Sequence, residues 1–350
     1  SAAVLSGRKI GLMQRSTMQE AISAHHVGGI VRMTKFILKT TFFIELTGTV
    51  LLAPVFCKDF GFFKGIWYAL FHSVSAFCNA GFDLLGVREP FSSLTTYSAQ
   101  PLVNFTIMAL IIIGGIGFLT WEDIKKNTWH FRKYRMQSKV ILTVTAALIL
   151  FPAIYFFFCE FSHLPLGERI LNALFQSVTP RTAGFNTADL TAFSQTGQML
   201  IILLMLIGGS PGSTAGGMKP TTIAVMISTA VSVFFQRQHT QFFKRRIPEE
   251  AIKSAATVFL LYILLFLTGG MVISSIEHIP LLPALFETAS AIGTVGLSLG
   301  ITPGLGLISQ MILILLMFFG RVGGLTLIFA ALSVSKTSCA KYPQEKITVG

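Results

Sequence analysis

The sequence predicts an all-α polytopic membrane protein built from repeats of one helical unit. Composition is the first observation: 52% of the 350 residues are hydrophobic, only 12% are charged and the mean hydropathy is +0.69, whereas about 25% of residues are charged in soluble domains. The second is a set of apolar stretches as long as the ~20 residues that cross a bilayer. The third is a short phrase that recurs three times between such stretches.

Five apolar stretches qualify as membrane spans, namely residues 36–56, 101–120, 140–158, 255–276 and 305–332. A sixth, residues 196–235, is interrupted at residues 208–217 by five glycines, two serines, a threonine and a proline. We call residues 208–217 the glycine loop. The 12 residues before this loop form a helix of about 18 Å at most, too short to span alone. The interruption is therefore expected inside the membrane, where broken helices are typical of transport pathways.

Lysine and arginine predict the sidedness of the chain. They concentrate in residues 1–35, 122–139, 236–253 and 334–350, so these segments are expected to face the cytoplasm. The formal net charge of +12 is thus spread over several loops. This distribution indicates that the basic residues set the orientation of the chain in the membrane and do not form a nucleic-acid-binding patch. The four cysteines share no short spacing, which argues against a zinc site or a disulfide framework.

The recurring phrase reads "ALFHSVSAFCNAGF" at residues 69–82, "ALFQSVTPRTAGF" at 173–185 and "ALFETASAIGTVGL" at 284–297. Each copy lies between two apolar stretches. The short segment that holds it, such as the 14 residues 64–77, would reach about 21 Å as a helix. That length cannot cross a core of about 30 Å, so each segment is expected to enter the membrane from outside and return.

The glycine-containing turns after these segments have the chemistry of a cation pore. We call residues 79–81, 182–184 and 294–296 the repeat turns. A helix entering from outside directs its negative dipole end toward the membrane centre, and backbone carbonyls can replace the water around an ion. Thr294, Val295 and Gly296 match the start of the K⁺-channel filter sequence. Isolated histidines such as His72 are expected at the membrane interface.

With these turns the chain resembles the Trk/Ktr/HKT superfamily of K⁺ transporters, most closely the KtrB membrane subunits of bacterial Ktr systems. The matching motifs are NAGF at 79–82, TPRTAGFN at 179–186, TVGL at 294–297, GGIGF at 114–118 and FGRVG at 319–323. The resemblance extends over essentially the whole chain. It implies span–pore helix–span units around a pseudo-fourfold pore, of which three are present here and the first is expected upstream of Ser1.

The resemblance implies the following organisation: a cytoplasmic segment 1–35, pore repeats 36–121, 140–235 and 254–333, cytoplasmic loops 122–139 and 236–253, and a cytoplasmic tail 334–350. It also implies K⁺ uptake through a selectivity filter with no covalently bound cofactor, and Na⁺ as an activator. The filter residues are then Asn79, Ala80, Gly81, Thr182, Ala183, Gly184, Thr294, Val295 and Gly296.

The same resemblance places the glycine loop beneath the filter as a gate. The implied gate residues are Gly208, Gly209, Ser210, Gly212, Ser213, Thr214, Gly216, Gly217, Lys219 and Arg321. Arg321 falls near the middle of the span 305–332, where a charge faces a cavity or a partner. We expect it either to raise the barrier to cations or to hold the loop through hydrogen bonds to carbonyls, and Lys219 to anchor the loop.

Implied partners are a second copy of the chain, with one pore per subunit, and a cytosolic ring of nucleotide-binding KtrA-like subunits. The basic cytoplasmic loops and residues 342–350 are candidate docking surfaces for that ring. The location implied is the cytoplasmic membrane, with several spans in the lipid bilayer.

Two alternatives remain open. One is a Na⁺-conducting relative of the same superfamily. The other is an intramembrane serine hydrolase, because residues 208–212 fit the G-x-S-x-G nucleophile pattern around Ser210. That pattern needs a strand before the turn and a histidine base, whereas the flanks here are helical in pattern and no histidine falls inside a span at that depth.

Overall fold

The structure, a computed structural model, describes residues 30–87, 90–128 and 130–322. The α-helices are α1 (Ile30–Phe60), α2 (Phe62–Phe77), α3 (Pro101–Gly115), α4 (Phe118–Asn127), α5 (Met136–Tyr155), α6 (Leu166–Val178), α7 (Gln195–Leu206), α8 (Pro220–Phe234), α9 (Glu249–Glu277), α10 (Leu281–Gly293) and α11 (Leu307–Val322). One hairpin pairs β1 (Gln241–Phe242) with β2 (Arg245–Arg246). The chain is therefore helical in the way that its apolar stretches predict.

The same order of elements occurs three times along the described residues. A long apolar helix comes first, then a short helix and a turn, then a second apolar helix: α1–α2–α3, α5–α6–α7 and α9–α10–α11. The long helices α1, α5 (with the π-helical turn Phe156–Glu160) and α9 have the length and composition to cross a membrane. The second helices are shorter or broken.

The short helices α2, α6 and α10 form the centre of the molecule, and the long helices surround them. Nine of the 13 residues of α10 are buried, whereas only 22% of the most apolar part of α1 is buried. In the middle of α1 the large exposed side chains are apolar, namely Phe42, Phe43, Leu46, Val50 and Leu51, as a lipid environment requires. Helix α6 packs against α3 of the preceding repeat, and α10 packs against α7.

The predicted span 101–120 is not one straight helix. Helix α3 ends at Gly115, and α4 leaves it at 98°. Gly117 has a φ of +88° and a Cβ there would lie 2.6 Å from the carbonyl oxygen of Pro211, so only glycine fits this corner. Helix α4 also occupies residues 122–127 of the segment 122–139, which was predicted to be a loop. The apolar run continues through the corner, which is why composition alone missed it.

The interruption of the sixth apolar stretch is present. Helix α7 ends at Leu206 and α8 begins at Pro220, so the non-helical segment is residues 207–219, slightly longer than predicted. Helix α9 begins at Glu249, inside the predicted loop 236–253, and that loop also contains the hairpin. Residues 1–29 and 323–350 lie outside the described residues, and with them the tail 334–350 and the end of the span 305–332.

Candidate functional site

The three repeat turns share one backbone conformation. The first and third residues of each turn have positive φ: Asn79 +50° and Gly81 +71°, Thr182 +75° and Gly184 +84°, Thr294 +53° and Gly296 +93°. The middle residues, Ala80, Ala183 and Val295, do not. Alternating the sign of φ turns successive peptide groups to the same side of the chain, so that a short turn presents a row of backbone dipoles.

The carbonyl oxygens of these turns are free. Within the described residues, none of the nine carbonyls of residues 79–81, 182–184 and 294–296 accepts a hydrogen bond, whereas the N–H groups of Ala80, Ala183 and Val295 are all bonded to their preceding helices. Four of these residues, Asn79, Thr182, Ala183 and Val295, are buried, and buried backbone carbonyls are nearly always paired. Nine unpaired carbonyls in three turns at the helix C-termini therefore form a strongly electronegative surface.

The repeat turns lie side by side. A Cβ at Gly81 would lie 2.3 Å from the carbonyl oxygen of Ala183, and a Cβ at Gly184 would lie 2.0 Å from that of Val295. Each glycine is thus required both by its positive φ and by the carbonyl of the next turn. At Gly296 no described residue lies within 4 Å of the Cβ position. The three turns therefore form an arc that is open between Gly296 and the first turn.

A hydroxyl at one shared position of each repeat anchors the turn, and these residues were not among those predicted from the sequence. Ser75 Oγ donates to the carbonyl of Phe82 at 2.7 Å, Thr179 Oγ1 donates to that of Phe185 at 2.6 Å, and Ser290 Oγ accepts from the N–H of Gly296 at 3.1 Å. These residues each follow the alanine of the repeated phrase by six positions. This shared position in the repeated phrase is the sequence signal that marks them.

A buried polar residue lies behind each turn at a second shared position, occupied by His72, Gln176 and Glu287. The Glu287 carboxylate accepts from Ser298 Oγ at 2.7 Å, Thr302 Oγ1 at 2.6 Å and the Leu299 N–H at 3.1 Å, which ties down the segment after the third turn.

Gln176 acts similarly after the second turn, where its amide Nε2 donates to Asn186 Oδ1 at 3.1 Å. His72 is fully buried, with Nδ1 2.7 Å from the carbonyl of Tyr68. His72 is therefore enclosed by protein rather than exposed to lipid or water, and its location at the membrane interface stays a prediction. Its position in the repeated phrase, three residues after the alanine, was the missed signal.

The glycine loop is held against the corner between α3 and α4. The N–H of Ser210 donates to the carbonyl of Gly115 at 2.9 Å, and the N–H of Phe118 donates to that of Gly212 at 2.8 Å. The neck of the loop is closed by the N–H of Gly208, which donates to the carbonyl of Met218 at 2.8 Å. The loop is therefore a compact lobe inserted between the second helices.

The loop also contacts the repeat turns directly. Thr214 Oγ1 accepts from Asn79 Nδ2 at 2.9 Å and lies 3.0 Å from the carbonyl oxygen of Phe77, the last residue of α2. A Cβ at Gly216 would lie 2.2 Å from Thr294 Oγ1. The loop thus lies against the first residues of the first and third turns, at the ends of α2 and α10.

Two cationic side chains hold the loop from its other side. Arg321 Nη1 donates to the carbonyl of Thr214 at 3.0 Å, which is a hydrogen bond of the type expected from the sequence. Lys219 Nζ donates to the carbonyls of Ala215 at 3.0 Å and Gly216 at 3.4 Å. The N–H of Gly217 donates to the carbonyl of Gly320 at 3.2 Å. The predicted gate residues of the loop, Lys219 directly before α8 and Arg321 on α11 are therefore brought together.

The geometry gives no support to a serine nucleophile. Ser210 is completely buried, and its hydroxyl has no hydrogen-bond partner among the described residues. A helix precedes it where the nucleophile pattern requires a strand. In the described part of the chain, no three His, Cys, Asp or Glu side chains are grouped as a metal site either. The site consists of backbone carbonyls and a loop.

Comparison with known proteins identifies the family. The family model TrkH, described as a cation transport protein, matches residues 3–338. The potassium/sodium uptake protein NtpJ of Enterococcus hirae is 39% identical over 99% of this chain and 78% of its own length. The Ktr system potassium uptake protein B of Bacillus subtilis is 34% identical, with the same two coverages.

A solved structure has the same fold. The crystal structure of the potassium transporter TrkH from Vibrio parahaemolyticus superposes with a TM-score of 0.70, covering 90% of this chain and 68% of the other, at 19% identity. The relatives are transporters, which excludes the hydrolase alternative. This chain belongs to the TrkH family of cation transport proteins and is a multi-pass transporter of the cell membrane rather than an enzyme.

Proposed function

We propose that the chain takes up K⁺ through a filter formed by the repeat turns. The observation that carries this proposal is the set of nine unpaired carbonyls at the C-termini of α2, α6 and α10. Carbonyl dipoles can replace the hydration shell of a cation without any charged side chain. The names of the relatives NtpJ and Ktr protein B, which specify potassium uptake, support K⁺ as the ion.

The open side of the arc supports a fourth unit. Helices α6 and α10 are each covered by the second helix of the preceding repeat, whereas the corresponding face of α2 is apolar and exposed at Trp67, Leu70 and Val74. We propose that a further span–pore helix–span unit covers this face and places its own turn between Gly296 and Ala80. The pore repeats 36–121, 140–235 and 254–333 are then the second to fourth of a four-unit ring.

We propose that the glycine loop is the gate of this pore. It lies against the first residues of two turns and is held by Arg321 and Lys219 through hydrogen bonds to loop carbonyls. A loop beneath the filter obstructs the ion path until these bonds break. Its glycines provide the backbone freedom that movement requires, with Gly212 and Gly217 already at positive φ.

A filter substitution tests the conduction proposal. In the whole protein, expressed in a strain that lacks K⁺ uptake, Gly184→Ala should reduce K⁺ uptake by at least about tenfold, because the new Cβ displaces the Val295 carbonyl. The matched control is Gly304→Ala, since no described residue lies within 4 Å of that Cβ position. Normal uptake by the Gly184→Ala protein at equal membrane levels contradicts the filter assignment.

The name of NtpJ includes sodium as well as potassium, so Na⁺ conduction is the second candidate. Uptake measured separately in K⁺ and in Na⁺ distinguishes the two. We propose K⁺ as the preferred ion and Na⁺ as an activator, so Na⁺ at fixed K⁺ should increase K⁺ uptake. A transporter that carries Na⁺ as fast as K⁺ supports the second candidate.

We further propose a homodimer that docks on a cytosolic nucleotide-binding ring. The Ktr relatives are named as parts of a system, and the exposed hairpin with Arg245 and Arg246 offers a basic surface on the side predicted to be cytoplasmic. Co-purification with a KtrA-like subunit should be lost on Arg245→Glu with Arg246→Glu. Retention of the complex by this variant excludes the hairpin as the docking site.

A further inference from the structure

An apolar groove opens on the exposed surface of the first described repeat. It has a volume of about 670 Å³ and lies between α1, the end of α3 and α4. Phe43, Ile113 and Trp121 belong to its walls. Among the described residues, the only charged ones that line the groove are Lys39 and Lys125, and none of the lining residues is acidic. The groove therefore combines an apolar trough with two cations.

The lysines lie at the end of the groove that is predicted from the sequence to face the cytoplasm. Helix α1 starts at Ile30, next to the basic segment, and Lys39 follows by nine residues, or about 14 Å of helix. Helix α4 crosses the direction of α3 at 98° and carries Lys125 in its last turn. The Nζ atom of Lys125 lies 4.5 Å from the ring centroid of Phe36, which is at the same end. Long lysine stems let both ammonium groups reach the headgroup level.

The acidic residues of α4 leave these two charges uncompensated. Glu122 pairs with Arg135 at 2.9 Å, and Asp123 pairs with the same arginine at 3.4 Å. Asp123 also accepts from Ser138 Oγ at 2.6 Å. Among the described residues, no carboxylate lies within 4.0 Å of Lys39 or Lys125. The groove therefore presents a net positive end to the membrane.

We propose that this groove binds one anionic phospholipid of the cytoplasmic leaflet. Its phosphate lies between Lys39 and Lys125, and an acyl chain lies along Phe43 and Ile113. The apolar wall excludes a soluble anion as the occupant, since such an anion would leave the trough unfilled. The cytoplasmic leaflet carries anionic lipids, and basic pockets between helices on that side suit their headgroups. A zwitterionic lipid gains less binding free energy, because the cationic group of its own headgroup repels the lysines.

Trp121 reports directly on this site because it forms part of the wall. The chain has three tryptophans, so Trp67→Phe with Trp129→Phe, together with the replacement of any tryptophan in the remainder of the whole protein, leaves Trp121 as the single fluorophore. The whole protein is placed in phosphatidylcholine vesicles that contain either brominated phosphatidylglycerol or brominated phosphatidylcholine. We expect phosphatidylglycerol to quench Trp121 at lower mole fractions. Lys39→Gln and Lys125→Gln should each reduce the preference about fivefold.

Lys126→Gln is the matched control, because it removes the same charge from the same helix without lining the groove. It should leave the preference for phosphatidylglycerol within about twofold. Three results overturn the proposal: equal quenching by both lipids, no quenching by either, or an equal loss of preference in the Lys126→Gln protein. None of these readouts depends on ion transport.

Discussion

Arg321 offers the sharpest test of the gate. Its Nη1 donates to the carbonyl of Thr214 at 3.0 Å, and hydrogen bonds to charged groups contribute about 1.5–3 kcal/mol. Because the arginine is exposed, we take the lower value, about 1.5 kcal/mol, for its stabilisation of the closed loop. Arg321→Ala should then shift the loop about tenfold toward the open state.

The assay is the initial rate of K⁺ uptake into proteoliposomes that contain equal amounts of folded protein. We expect the Arg321→Ala rate to rise by up to about tenfold, the limit set by the loop equilibrium. Gln at this position keeps a hydrogen-bond donor but removes the charge. If the hydrogen bond holds the loop, Arg321→Gln should stay closer to the unmodified protein than Arg321→Ala does.

If the charge alone blocks cations, Arg321→Gln and Arg321→Ala should conduct equally and Arg321→Lys should conduct like the unmodified protein. These outcomes separate the two roles expected for this residue. An uptake rate that stays the same in the Arg321→Ala protein, with correct folding shown by its thermal denaturation, refutes the gating role altogether.

Three further predictions concern the contacts around the pore. Gly114→Ala places a Cβ 2.1 Å from the carbonyl oxygen of Phe77 and should destabilise the solubilised protein by about 1–3 kcal/mol. Gly115→Ala, whose Cβ would meet open space, is the control and should not destabilise it. Thermal denaturation measures both variants, and equal melting temperatures would contradict this packing. Thr214→Val removes the hydroxyl bound to the Asn79 amide. The unpaired amide donor then destabilises the closed loop by about 1–3 kcal/mol, so K⁺ uptake should increase severalfold at unchanged protein levels. Slower uptake would argue that the bond supports the filter instead. Glu287→Gln weakens three hydrogen bonds behind the third turn and should lower the ratio of K⁺ to Na⁺ uptake; an unchanged ratio would show that this brace is dispensable.

Much of the fold was predictable because its signals are local. Hydrophobic length identified the long helices α1, α5 and α9, and a run of helix-breaking residues identified the interruption between α7 and α8. The corner at Gly117 was missed, although residues 114–118 have glycines comparable to those of the glycine loop. Apolar residues continue on both sides of that corner, so the pattern indicated one span.

The candidate site was predictable in part for the same reason. The repeated phrase placed the three turns, because a glycine after a short amphipathic segment is a local signal. The residues that brace the turns, such as Ser75 and Glu287, were not recognised. Their partners, Phe82 and Ser298, lie seven and eleven residues away, and only the folded turn brings each pair together.

By itself, the sequence determined a membrane protein of repeated span–short helix–span units, with its repeat turns and the interrupted helix between Leu206 and Pro220. The tertiary structure decided which groups meet at the site. It placed the carbonyl of Ala183 beside Gly81 and Thr214 beneath Asn79. Periodicity and helix breakers are properties of neighbouring residues, whereas these contacts join residues about 100 or more positions apart, so they depend on how the repeats pack.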